Sequence, residues 1–296
     1  VCISSNSLHS TIFSSRTILY RMYPSYNPKG MQHHSNITPH LITQIWHQNG
    51  KCPEHTIPIR RTKEEHVLRA SSVRRFGTKM PRSIPLVNPI NDTNTPNILR
   101  GHQYATASAR YDKCHGSKGT FNMWKPAIAR ANDFSLTQLW ITAGSYNGNN
   151  LNTIEVGWQV FPNLYGDSNT RLFIYWTRDA YQTTGCYNLL CSGFIQTSNQ
   201  ITIGGSISPT STYGGTQYDI DILVWKGVIG GYKLVATMLG IGHHTSSLTW
   251  HIVPPLLCGA ARYFHLMPAK HPHIWVVDTF QMKGSVRRVT SRTSKW

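Results

Sequence analysis

Residues Thr153-Ile154-Glu155-Val156-Gly157-Trp158-Gln159-Val160-Phe161 alternate along their whole length. Successive side chains of an extended backbone point to opposite sides. Ile154, Val156, Trp158 and Val160 therefore share one face, and Glu155, Gly157 and Gln159 the other. An acid opposite an apolar stripe has two readings, a solvated strand glutamate or an acid lining a groove. Outward from this strand the same signals recur. We expect strands over 137–143, over 171–177 after the turn Gly166-Asp167-Ser168-Asn169, and over 193–197, 200–207 and 218–226. In the last, Ile220, Ile222 and Val224 alternate with Asp219, Asp221, Leu223 and Trp225. Short strands at this spacing, with turn residues between them, predict an all-β antiparallel sandwich or barrel. One helix is expected over 62–76, opened by Lys63, Glu64 and Glu65, with Val67, Leu68 and Val73 as a partial apolar stripe.

The 296 residues are 40% hydrophobic and 14% charged, the profile of a foldable β-rich chain. Gly227 to Gly242, the longest apolar run, is interrupted by Lys233, so no transmembrane span is expected. The net charge of +17 raises a nucleic-acid reading. Its distribution argues against one: residues 97–226 hold nine basic and seven acidic groups, and the excess lies in the flanks. Six cysteines stand at 2, 52, 114, 186, 191 and 258. Cys186 and Cys191 are close enough for a local disulfide in an oxidising compartment, or form a pair of buried thiols. No second cysteine pair stands at metal-ligand spacing, the six histidines after position 226 fall in a stretch that departs from the pattern of the rest, and neither metal nor cofactor is expected. Asn36-Ile37-Thr38 and Asn91-Asp92-Thr93 are glycosylation acceptors that fit a secretory route. Residues 88–97 read as an exposed linker.

Longer strings carry a family resemblance. Upstream stand Tyr23-Pro24-Ser25-Tyr26-Asn27-Pro28-Lys29-Gly30, Trp46-His47-Gln48-Asn49-Gly50-Lys51-Cys52-Pro53-Glu54 and Thr56-Ile57-Pro58-Ile59-Arg60-Arg61-Thr62. Downstream are Gly101-His102-Gln103, Asn132-Asp133-Phe134-Ser135-Leu136, Asn152 to Val160, Leu164-Tyr165-Gly166-Asp167, Thr184-Gly185-Cys186-Tyr187-Asn188-Leu189-Leu190-Cys191, and Gln217 to Lys226. These resemble the plant neprosin family over about two hundred residues. The resemblance implies a secreted glutamic endopeptidase that cuts after proline, made as a zymogen. It implies a jelly-roll-like β-sandwich preceded by a small activation-peptide domain, with proline-containing peptides as partners and neither nucleic acid nor membrane. Two glutamates carry the family's chemistry, one as general base for a water and one protonating or polarising the scissile amide. Two carboxyls sharing a site push their pKa values apart, which separates the roles. Glu155 matches the first of them. Trp158 and Tyr175 are candidate groove residues.

The chain departs from the family pattern after Lys226. It has four glutamates, Glu54, Glu64, Glu65 and Glu155, and none follows position 155. The family's WWLQ, YWPS and GGEV strings are absent as such. Read one frame over, the codons for Ile229 to Lys233, Gly240 to His244 and Leu257 to Tyr263 permit all three. The missing glutamate codon then spans Ala261 and Arg262. Asn6 to Arg21, shifted likewise, permits a family-like leader. We therefore expect an out-of-frame segment at 1–21, activation peptide and linker at 22–96, the first part of the catalytic domain at 97–226, and an out-of-frame tail at 227–296 that leaves the sandwich truncated and the enzyme impaired. The chain opens on Val1, and a secretory leader is expected to be missing from it. The resemblance gives Cys52 a partner upstream, in the garbled stretch, without singling out Cys2, and leaves Cys114 and Cys258 unpaired. If catalysis is lost, the alternative is a sandwich that binds proline-rich peptides or cell-wall polymers without cutting them.

Overall fold

The computed structural model describes residues 1–4, 43–79, 104–110, 116–145, 147–196, 198–226, 232–239, 246–250 and 259–265, with strands 104–110, 232–239, 246–250 and 259–265 described by backbone alone. Asn36, Asn91, Cys114, Cys258 and the 88–97 linker lie outside these residues.

Among the described residues, fourteen strands run β1 Cys2–Ser4, β2 Thr43–Gln44, β3 Thr56–Pro58, β4 Tyr104–Arg110, β5 Gly116–Asn122, β6 Ser135–Ala143, β7 Asn152–Val160, β8 Arg171–Thr177, β9 Phe194–Ile195, β10 Ile207–Ser208, β11 Asp219–Lys226, β12 Tyr232–Leu239, β13 Ser246–Trp250 and β14 Gly259–His265. Two short helices accompany them, α1 Glu64–Leu68 and α2 Pro162–Tyr165. One five-stranded sheet has the order β4-β14-β6-β7-β8 and the other β5-β11-β12-β13-β9, and their pairings are antiparallel. They face each other across one apolar core. Ile154, Val156 and Trp158 of β7 meet Leu139 and Ile141 of β6, Leu172 and Ile174 of β8, and Ile220, Ile222 and Val224 of β11. Each such side chain withdrawn from water contributes about 1.5–3 kcal/mol, which fixes which face of β7 points inward. The fold is an antiparallel β-sandwich.

Three readings change. Where the sequence leaves the sandwich truncated, the backbone after Lys226 supplies β12, β13 and β14, which extend one sheet and insert between β4 and β6 in the other. Runs such as Tyr232–Leu239 hold enough β-branched and apolar residues to pair beside β11 whatever their origin. Residues 200–207 form no continuous strand: the backbone of 204–207 meets Thr170 to Leu172 through a single bridge at Ser206 and neighbouring hydrogen bonds, while side chains take over backbone groups of 201 and 202. Thr202 N–H donates to Gln44 Oε1 at 2.7 Å and Gln44 Nε2 donates to Thr202 O at 2.8 Å. Gln196 Nε2 donates to Ile201 O at 3.0 Å. The helix expected over 62–76 closes after Leu68 and resumes as one 3-10 turn over Val73–Arg75. Its supposed apolar stripe is outside, with Leu68 72% and Val73 78% exposed, whereas His66 is buried. Without an apolar face to bury, so short a helix has nothing to extend it.

Candidate active site

The groove is built on the outer face of β6, β7 and β8. Register places Trp140, Glu155 and Tyr175 side by side in one row. The alternation that sends Val156 into the core turns Glu155 to this face. Glu155 is fully buried. Its Oε1 accepts from Tyr181 Oη at 2.6 Å and from Thr153 Oγ1 at 3.2 Å. Its Oε2 is ion-paired with the ammonium of Lys79. A buried carboxylate is stable only when its lone pairs are met in this way.

Tyr181 reaches Glu155 because the loop after β8 is held by one acid. Asp179 accepts from the backbone N–H of Thr183 at 2.9 Å and of Gln182 at 3.2 Å, and from the hydroxyls of Thr183 at 2.5 Å and Thr184 at 2.6 Å. Burial raises its pKa, but these donors outweigh burial and hold the carboxyl at about 2. The bracket keeps Ala180 and Tyr181 at φ of 56° and 65°, a left-handed pair that non-glycine residues adopt only when the surroundings impose it. Tyr175 lies beside Glu155 with its hydroxyl pKa pushed up, by burial first, with the neighbouring carboxylate adding to it.

The N-terminal region is stitched across this domain at several places, three of which bear on the site. Gln44 and Ile45 pair with the 202–207 segment. Arg60 donates to Tyr165 O at 2.7 Å and to the imidazole Nδ1 of His66 at 3.3 Å. Gly166 faces His66 so closely that a Cβ there would stand 2.5 Å from the ring's Nε2. The third contact fills the groove. Tyr187 N–H donates to Gly77 O at 2.8 Å, and Lys79 N–H donates to Tyr175 Oη at 3.0 Å. Beyond them the Lys79 ammonium sits on Glu155, 4.7 Å from the centre of the Tyr175 ring and 5.3 Å from that of Tyr187.

A chain whose N-terminal part plugs an acid-bearing groove in its own sandwich has the organisation of a latent enzyme. Two family models match it along its length: one described as Neprosin over residues 131–251, and one described as Neprosin activation peptide over residues 9–108. The chain belongs to the neprosin family. Lys79 and Gly77 thus come from the region matching the activation peptide, and Glu155, Tyr175, Tyr181 and Tyr187 from the region matching Neprosin. Among solved structures it is similar to Scytalido-glutamic peptidase, crystallised with a peptide-based transition-state analogue, at 12% identity and a TM-score of 0.32. That match covers 55% of this chain and 64% of the other, so it spans less than two thirds of that protein's length, and it is too loose to carry an argument.

The residues picked from the sequence scatter. Glu155 and Tyr175 lie together in the groove. Trp158, a candidate groove residue, is instead in the core between the sheets, where its indole N–H donates to Asn122 O at 2.9 Å. It shares the apolar face with Val156, and the period of two forbids it the face of Glu155. Asp219 and Asp221 stand on the other sheet and bond Asn122 and Thr120, with Lys118 beside Asp221 at 3.2 Å. Neither is near Glu155 in the sheet order. Cys186 and Cys191 are bonded, and Cys2 is bonded to Cys52, tying β1 to the segment that leads into β3. Lys79, Thr153, Tyr181 and Tyr187 were not picked. Thr153 could have been found, two residues from Glu155 on the same face. The other three come to the groove from loops that no periodicity marks. Among the described residues, no group of three or more His, Cys, Asp or Glu side chains could hold a metal, and no helix is long and apolar enough to cross a membrane.

Proposed function

We propose that the chain is the zymogen form of a glutamic endopeptidase acting after proline, with Glu155 as its general base and the second acid missing. The observation that carries this is Glu155 itself, an acid buried on a groove floor, oriented by Tyr181 and Thr153, and capped by a lysine from the activation-peptide region. Removing that cap gives the Oε2 lone pair to a water, which the carboxylate would deprotonate as the water attacks the scissile carbonyl. The amide nitrogen then needs a proton from a second acid. Counting across from Glu155, the row runs through Trp140 to Ala261 on β14, and the sequence of β14 has no carboxylate. We infer that turnover is impaired for this reason, and that the frame change after Lys226 removed the glutamate. Nucleotide sequence that lacks the required codon overlaps would overturn that origin. The disulfides fit a secretory route.

The test is hydrolysis of a proline-containing peptide at acid pH. Turnover, where present, is expected to vanish in Glu155→Gln. Turnover indifferent to that substitution would remove Glu155 from the chemistry. A second reading, a groove that binds proline-rich peptides or cell-wall polymers without cutting them, is favoured by the same acid-free strand. It predicts saturable binding with no product.

A further inference from the structure

Residues Phe76 to Lys79 enter the groove through a tight turn, closed by Thr78 N–H donating to Arg75 O at 3.2 Å, and the walls that Phe76, Gly77 and Lys79 touch belong to the sandwich. The Phe76 ring packs on the aromatic cluster that includes Phe161 and Tyr187. Gly77 gives its carbonyl to Tyr187 N–H. Its φ is +74°, and a Cβ there would lie 2.3 Å from Leu190 Cδ1, so this position admits no side chain without displacing the wall. Thr78 points to solvent, its hydroxyl returned to Arg75 O at 3.0 Å. The ammonium of Lys79 is then enclosed by one carboxylate and two tyrosine faces. Each of these features recognises something. The carboxylate and the ring faces select a cation. The backbone donor selects a main-chain carbonyl, and Leu190 excludes bulk.

We propose that this is a lysine-recognising subsite, and that the groove takes peptides of the pattern aromatic, glycine, any residue, lysine, turning at the glycine, of which Phe76 to Lys79 is the resident copy. Such peptides occupy Glu155 and act as ligands that block the groove. The inference rests on the reading of this face as a peptide groove, but not on cleavage.

The experiment uses the full chain carrying Lys79→Ala and a fluorescent peptide copying residues 74–79, followed by anisotropy. The peptide should bind this variant at least about tenfold more tightly than it binds the wild type, whose own segment competes. Norleucine in place of the peptide's lysine should weaken binding by about tenfold or more, since it keeps the stem and loses the charge. Leucine in place of its glycine should abolish binding. Because Lys79→Ala leaves Glu155 unpaired, Gly77→Leu provides a second opened chain, which expels the segment sterically, and the same ranking of peptides is expected. Equal binding of the lysine and norleucine peptides overturns the proposal. So does equal binding by the wild-type and opened chains, or no binding by either opened chain. Lysine-selective binding, with no hydrolysis of a proline peptide even by a chain given a second acid through Ala261→Glu, would sink the peptidase reading alone. Hydrolysis by the Ala261→Glu chain without lysine selectivity would sink this inference alone.

Discussion

Replacing Lys79 by Met keeps the length of the side chain and removes its charge. In the wild type the Lys79 side chain is 12% exposed and the Glu155 side chain 0%, so both charges have given up nearly all their water to each other. Deleting one partner of such a pair costs about 3–5 kcal/mol, most of it the penalty of an uncompensated buried charge. Tyr181 and Thr153 still donate to Oε1, but Oε2 keeps no charged partner. The loss is capped by local opening, because the Phe76 to Lys79 segment can lift and let water reach the carboxylate. A double-mutant cycle separates these effects. Glu155→Gln removes the same charge pair from the other side, and in that background Lys79→Met should cost only the two ring contacts, about 1 kcal/mol. The expected coupling is therefore about 2–4 kcal/mol, read from urea unfolding at neutral pH. Hydrogen exchange of the Tyr187 amide, which donates to Gly77, should quicken in both single variants. Effects of the two substitutions that add to within about 0.5 kcal/mol would show that Lys79 and Glu155 are neighbours without being partners.

Other expectations follow from the groups around this pair. Tyr181→Phe removes one hydrogen bond to a charged group and should cost about 1.5–3 kcal/mol in unfolding free energy. A loss no larger than that of an exposed tyrosine would place Tyr181 outside the site. His66 has its pKa held below the ordinary value of 6.5, by burial first and then by Arg60 and Arg69, against the weaker pull of Glu65. The folded chain therefore binds fewer protons here than the unfolded one. The stability contributed is full above the ordinary value and is lost as pH falls through the depressed one. Acidification should thus loosen 64–69 from Gly166, seen as faster proteolysis, and His66→Gln should flatten that dependence. Asp179→Asn removes the acceptor that brackets 180–184, so at neutral pH it should raise exchange of the Thr183 and Thr184 amides and disorder Tyr181. Unchanged exchange would mean that the left-handed pair is held by something else.

What the sequence made legible was periodic. The alternation in 153–161 and 218–226 located β7 and β11 and sorted their faces, because burial of Ile154, Val156, Ile220 and Ile222 leaves no other register. The same period placed Glu155 opposite the core. It also contained the correction for Trp158, whose parity with Val156 already assigned it inward. What the sequence did not reveal is non-local. Lys79 lies 76 residues from Glu155 and Gln44 lies 158 from Thr202, contacts that no short pattern encodes. The 200–207 segment alternates well enough for a strand, but at Ile201 and Thr202 the side chains of Gln44 and Gln196 take the backbone groups, and only 204–207 reach the backbone of 170–172. β12 to β14 escaped because the stretch was judged by ancestry, whereas pairing asks only for residues that tolerate a pleat.

The central claim is that the groove holds the first acid of a peptidase and lacks the second. It is tested most directly by incubating the wild-type chain and its Ala261→Glu variant with a proline-containing peptide at acid pH and mapping products by mass spectrometry. Position 261 is the residue that β14 contributes to the row of Glu155. The account predicts no cleavage by the wild type, and cleavage after proline by the variant that Glu155→Gln abolishes. Efficient cleavage by the wild-type chain would contradict it.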